Sequence, residues 1–217
     1  ALGLISSLYT DEGFPDPPLA NTVEDRLQHL IWVNDNALGG GYLVNAGIHA
    51  IDVALWLAQA APVSAVGTSR AVRAEPHGDS HDVFSLTYEF ENGLLMNHRG
   101  EHLRNRFSFR CDNIAHGQEG YLETAYSGEV AMPAIRGGWG GGPVQNLYEE
   151  GARRNIDAFH ERVISGSSDD STVAPSINAN LAVLLGREAA ARSARVTWDQ
   201  LLAENTPLEP DLSGLLE

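Results

Sequence analysis

The 217-residue chain carries 29 acidic side chains against 14 basic ones, for a formal net charge of −15 at neutral pH. That balance excludes a nucleic-acid binder, whose affinity comes from clustered positive charge on phosphates. Hydrophobic content of 43% and charged content of 20% are those of an ordinary globular protein, long enough for one large domain or two very small ones with a substantial core.

At the N-terminus, Ala1-Leu-Gly-Leu-Ile has neither the basic start nor the cleavage pattern of a signal peptide. Lacking Met, it is expected to begin inside a longer chain. Gly3–Tyr9 alternates weakly and predicts a short strand, ending at Thr10-Asp11. Asp11–Asn21, with Pro15, Pro17 and Pro18, reads as a surface loop. Thr22 then caps a predicted helix from Val23 to about Val33, with Leu27, Leu30 and Ile31 on one side. Asn34–Gly41 breaks it.

The next helix, Asn45–Ala58, is apolar on nearly every side, the mark of a buried helix. Its polar exceptions, Asn45, His49 and Asp52, are spaced i, i+4, i+7 and share one edge. An imidazole and a carboxylate one turn apart in such a helix need partners, so the edge is either a satisfied structural network or a cleft wall. Asn45 suits an N-cap, which favours the structural reading. Gly39-Gly40-Gly41 upstream permits close approach of backbone to a ligand, and His with Asp at i+3 suits a base and its orienter, which favours the functional one.

Beyond Pro62 the period changes to two. Strands are predicted at Val63–Ala74, Asp82–Glu91, Leu94–Glu101, Phe107–Asp112, Gly120–Ala125 and Glu129–Met132. Val83, Ser85, Thr87 and Glu89 alternate with Phe84, Leu86, Tyr88 and Phe90, as in a sheet with one covered face. Glu91-Asn92-Gly93 signals a hairpin. His77-Gly-Asp-Ser-His81-Asp82 holds donors for a divalent cation, but reads as a polar loop entering the next strand with Asp82 paired locally, so no metal site is predicted. Asn97-His-Arg-Gly-Glu-His102 crowds polar side chains at a strand end and reads equally as a solvated end or as the wall of a substrate cleft, the second making His98, Arg99 and His102 candidate substrate contacts. Arg104, Arg106 and Arg110 alternate along a predicted strand, suited to salt bridges across the sheet. Cys111 is the lone cysteine, so no intrachain disulfide forms, which suits a reducing, cytoplasmic setting.

Pro133–Pro143, including Arg136-Gly-Gly-Trp-Gly-Gly-Gly-Pro143, reads as a mobile loop. Helices follow at Val144–Ile164 and Pro175–Ala194, then a tail with a short helical turn. No apolar run suggests a bilayer span. Strands grouped between helices give an α+β fold: a large, mainly antiparallel open sheet with helices packed on one face. Its other face is expected to be covered by a second copy, in a dimer or tetramer.

The order Gly-Gly-Gly-x-Leu-x-Asn-x-Gly-Ile-His-x-Ile-Asp-x-x-x-Trp-Leu from Gly39 to Leu57 resembles the opening helix of the C-terminal domain in the glucose–fructose oxidoreductase / inositol dehydrogenase / MocA family. Gly117-Gln-Glu-Gly120-Tyr-Leu-Glu123 resembles that family's glycine turn and strand. Asn155-Ile-Asp-Ala-Phe159, Leu185-Gly-Arg-Glu-Ala-Ala-Ala191 and Val196-Thr-Trp198 resemble its closing helices and tail. The resemblance implies a glyceraldehyde-3-phosphate-dehydrogenase-like C-terminal domain and an NAD(P)-dependent oxidoreductase of a sugar, cyclitol or related polyol. His49 matches the catalytic histidine that takes the substrate hydroxyl proton, and Asp52 a carboxylate near the substrate. Asn45 stands where inositol dehydrogenases carry Asp; an amide can hydrogen-bond a hydroxyl but cannot accept its proton.

The family binds NAD or NADP on an N-terminal Rossmann domain, which also supplies a catalytic lysine from a Glu-Lys-Pro motif. This chain has no lysine; all fourteen basic residues are arginine. Its best glycine cluster, Gly137–Gly142, has Pro143 where a third fingerprint glycine would fall. Residues 1–217 are therefore expected to be one substrate-binding and oligomerisation domain, without the cofactor half and inactive alone. A non-catalytic binding and dimerisation module of the same fold is the second expectation. A metal-dependent isomerase or hydrolase built on His77–Asp82 is a third.

Overall fold

A computed structural model describes residues 1–16, 22–24, 31–74, 76 and 78–211. Among them, nine strands form one sheet in the order β8-β7-β6-β5-β1-β4-β3-β2-β9. The strands are β1 (Leu2–Asp11), β2 (Ser64–Arg70), β3 (Val83–Glu89), β4 (Leu95–His102), β5 (Arg110–Gly117), β6 (Tyr121–Thr124), β7 (Val130–Pro133), β8 (Gly138–Gly141) and β9 (Val196–Thr197). All neighbours are antiparallel except β1 and β4. The helices are α1 (Asn36–Gly39), α2 (Ile48–Ala58), α3 (Leu147–Ser165), α4 (Val173–Arg192) and α5 (Trp198–Glu204).

Alternation decides which face is covered. In β3, Phe84, Leu86 and Tyr88 are buried while Ser85 is exposed, as the period-two pattern predicts. The same face presents Ile5 from β1, Met96 from β4 and Ala115 from β5. Ile51, Ala54 and Leu55 of α2, with Ala182, Val183, Leu185 and Ala189 of α4, complete the core above it. The approach of α4 is close: a Cβ at Gly186 would lie 2.0 Å from the Tyr88 hydroxyl, so only glycine fits. The expected hairpin is present, with Gly93 at φ +82° and the Asn92 side chain accepting from the Leu94 amide.

Several expectations are corrected. The predicted strand Phe107–Asp112 lies later, at Arg110–Gly117, and Arg106 has φ +63°. Arg104 and Arg106 therefore share no strand face with Arg110, which pairs instead with Asp112 on its own strand at 2.6 Å. The supposed mobile loop holds β8, paired with β7. Of the predicted helix Val23–Val33, Leu27 and Leu30 lie outside the described residues, and Ile31–Asn34 forms a 3-10 turn. The helical stretch Asn36–Ala58 is long and apolar enough to cross a membrane, but half of its most apolar window is buried, as expected of a core helix.

Asp82 does pair locally. Its carboxylate accepts from the Val72 and Arg73 amides and meets the Arg73 guanidinium at 2.5 Å; Arg73 also holds Asp16 at 2.9 Å. His81 is hydrogen-bonded to Ser69 at 2.7 Å. His77 lies outside the described residues, and among those described no group of three metal-ligating side chains gathers.

Candidate functional site

The chain enters α2 through a π-helical turn, Leu43–Gly47. The helical path thus begins before Asn45, which sits inside the turn and does not cap it. The three glycines serve the turn itself. Gly40 and Gly41 have φ near +80°, and the Cβ positions of Gly39, Gly40 and Gly41 are occupied by Trp32, Val44, and Asn36 with Ser80. They pack against their own chain and leave no opening for a ligand.

Downstream, Leu43, Ala46, Ala50, Ile51 and Ala54 face the core, while Asn45, His49, Asp52 and Trp56 are exposed. The polar edge is therefore a solvent-accessible stripe. Desolvation holds the Asp52 carboxyl above the ordinary carboxylate range, and the nearby His49 opposes the shift. Beside Asp52, a groove of about 560 Å³ runs between α2 and the start of α4, lined by Trp56, Gln59, Thr172, Pro175 and Ser176.

Across from His49 stands the sheet end where β1 and β4 finish. The Tyr9 ring is stacked with His49 at 6.2 Å and faces His102 at 5.8 Å; His102 stacks on Tyr42 at 4.3 Å. Tyr42 is fixed in turn, its hydroxyl accepting from the Phe14 amide. His98 lies four residues before His102 on the same face of β4, with Gly100 between them on that face, beneath the helix entry: a Cβ at Gly47 would come within 3.5 Å of its Nε2. Ser7 is hydrogen-bonded to its Nδ1 at 3.0 Å. Its Nε2, both ring nitrogens of His102 and Oδ1 of Asn113 are buried without a protein partner. Burial pushes His98 down to about 3, aided by His102, and His102 down to about 4, opposed by Asp82. Both rings are neutral at pH 7.

The structure thus brings both His49 and His102 against Tyr9 and leaves His98 enclosed. Arg99 is not part of the group. Strand alternation turns it to the opposite face, 56% exposed and paired with Glu101. Sequence reasoning missed Tyr9 and Tyr42. The period of β1 places Tyr9 with Ile5 and Ser7 on the covered face, a signal available in principle; nothing in the sequence marks the Tyr42–His102 stack.

A dinucleotide's phosphates require a glycine-rich turn opening a helix. Gly138–Gly141 is strand, and the spaces beside Gly39–Gly41 are filled. The described residues therefore do not fit the phosphates of NAD or NADP.

No sequence among curated proteins matches the chain. The family model of the GFO/IDH/MocA C-terminal domain matches residues 6–123, more than half of it. Solved structures share its fold. The aldose-aldose oxidoreductase from Caulobacter crescentus complexed with glycerol is 16% identical with a TM-score of 0.68 over 90% of this chain and 55% of its own. Levoglucosan dehydrogenase in complex with NADH and levoglucosan is 17% identical with a TM-score of 0.68, over 90% and 58%. Myo-inositol 2-dehydrogenase from Lactobacillus plantarum is 16% identical with a TM-score of 0.63, over 90% and 56%. The chain spans a little over half the length of each.

Proposed function

We propose that this chain, which belongs to the GFO/IDH/MocA C-terminal domain family, is the substrate-binding half of an oxidoreductase acting on a sugar, cyclitol or related polyol. Oxidising a carbinol requires a hydride acceptor and a proton acceptor. The residues of this chain suit the second task alone. The hydride acceptor would be a nicotinamide nucleotide held outside the described residues of this chain.

The observation that carries the reading is the exposed Asn45–His49–Asp52 edge, whose His49 stacks with the Tyr9 ring. An exposed imidazole can reach a substrate hydroxyl and serve as its general base. Asp52 favours the imidazolium that results, and the Asn45 amide hydrogen-bonds a neighbouring hydroxyl without competing for the proton. His102, neutral and buried, adjoins the same Tyr9 ring. His98 acts through Ser7 and the helix entry. Arg99, on the far face, has no part in it.

In the protein joined to its nucleotide domain, myo-inositol, levoglucosan and glucose are tested with NAD⁺ and NADP⁺. His49→Ala is expected to lower turnover by about two to four orders of magnitude while leaving the melting temperature unchanged. Full turnover per folded molecule with a lowered melting temperature would end the catalytic reading and leave the non-catalytic module.

A further inference from the structure

Beyond His49, an aromatic row continues outward along the sheet end. Phe109 meets Tyr9 edge-on at 5.7 Å, Tyr126 meets Phe109 at 4.9 Å and 90°, and Tyr148 adjoins Tyr126 at 6.3 Å. The Tyr148 hydroxyl donates to the Tyr126 hydroxyl at 2.9 Å. These rings come from four places: β1, the segment before β5, the β6–β7 turn and the start of α3. Phe109, Tyr126 and Tyr148 are 48%, 38% and 74% exposed. Tyr9 is buried and joins the row to His49. We infer that Phe109, Tyr126 and Tyr148 form a subsite for a second sugar ring, so that the substrate class is a disaccharide or glycoside whose reacting ring lies at His49. The inference rests on the function proposed above.

Three features select this ligand. The imidazole and the Phe109 ring are separated by no more than the two steps through Tyr9, a span that a two-ring saccharide bridges. The row combines ring faces, which attract the C–H face of a pyranose, with phenolic hydroxyls able to bond its hydroxyl edge. The surroundings are acidic: Asp11 and Glu12 follow Tyr9, and Glu149 and Glu150 follow Tyr148. Of the described cations beside the row, Arg110 is held by Asp112, and Arg153 and Arg154 beyond Tyr148 are held by Glu150. A neutral polyhydroxyl ligand suits such a surface of paired charges.

Saturation-transfer NMR on the full 217-residue chain, with glucose, maltose and cellobiose as probes, tests it. At least one disaccharide is expected to bind about three- to tenfold more tightly than glucose, the scale of one aromatic contact, with saturation reaching both rings. Phe109→Ala and Tyr148→Ala should each bring that disaccharide down to the glucose level and leave glucose unchanged. Both side chains are exposed, so folding is retained, as circular dichroism will verify. Tyr148→Phe keeps the ring and should retain most of the gain. Glucose binding without disaccharide preference, or a preference indifferent to both alanine variants, overturns the subsite and leaves the proposed function standing. Absence of transfer to any of the three sugars overturns the subsite, and the turnover assay with myo-inositol, levoglucosan and glucose then decides the proposed function separately.

Discussion

His98 and His102 are carried into the folded protein as neutral rings, and that has a pH-dependent cost. Burial lowers both pKa values below that of an unfolded histidine near 6.5. Below that pH the unfolded chain binds more protons than the folded one, so stability present above pH 6.5 is lost as pH falls towards about 4 for His102 and about 3 for His98. His102→Phe preserves an aromatic ring against Tyr42 and removes two unpartnered nitrogens. Urea unfolding from pH 7 to pH 4 should show the wild type losing on the order of 3 kcal/mol more than this variant. Equal acid sensitivity in the two would refute the assignment. The helix edge that frames the site was legible from residue spacing, because i, i+4, i+7 is a property of the helix itself. The rings opposite it were not, since Tyr9, Phe109, Tyr126 and Tyr148 meet only through the order of the strands.

Between elements, Arg73 ties the end of β1 to the entrance of β3. Its guanidinium reaches Asp16 and Asp82 and donates to the Ser80 and Gly78 carbonyls, with all three charged side chains nearly enclosed. Removing the cation strands two buried carboxylates, so Arg73→Ala should lower unfolding free energy by about 3–5 kcal/mol, read from denaturant midpoints; a loss within about 0.5 kcal/mol, that of an ordinary surface substitution, would contradict it. Strand positions were read well where alternation was clean, as in β3. The error at β5 has a physical cause. Phe107 and Phe109 mimic a strand, whereas β5 itself contains Asp112, Asn113 and His116, poor strand formers held extended by β1 on one side and β6 on the other. In β8, Gly138-Trp-Gly-Gly141 carries almost no side-chain pattern, and only pairing with β7 makes it a strand.

At the scale of the whole molecule, the accessible surface is 13198 Å², against about 9,700 Å² for a compact monomer of this mass by size scaling. Part of the excess lies in residues 121–165, none of which is buried, and part on the open sheet face, where Val66 and Leu95 are exposed. A dimer through that face is expected, and light scattering at 23.4 kDa across a wide concentration range would contradict it. Calorimetry should find no micromolar affinity of this chain for NAD⁺ or NADP⁺, because the phosphate-holding turn is lacking among the described residues; tight binding would refute the division of labour proposed above. The central position of β1 also orders events in time. Ile5 lies between Met96 and Ala115 in the finished sheet, so the first strand has neither neighbour until roughly ninety further residues have been made. At ribosomal rates of about 5–20 residues per second that is a wait of roughly 5 to 20 seconds, with an apolar segment bare on both edges. The nascent chain is thereby a natural client for a chaperone that shields strands early and releases them late.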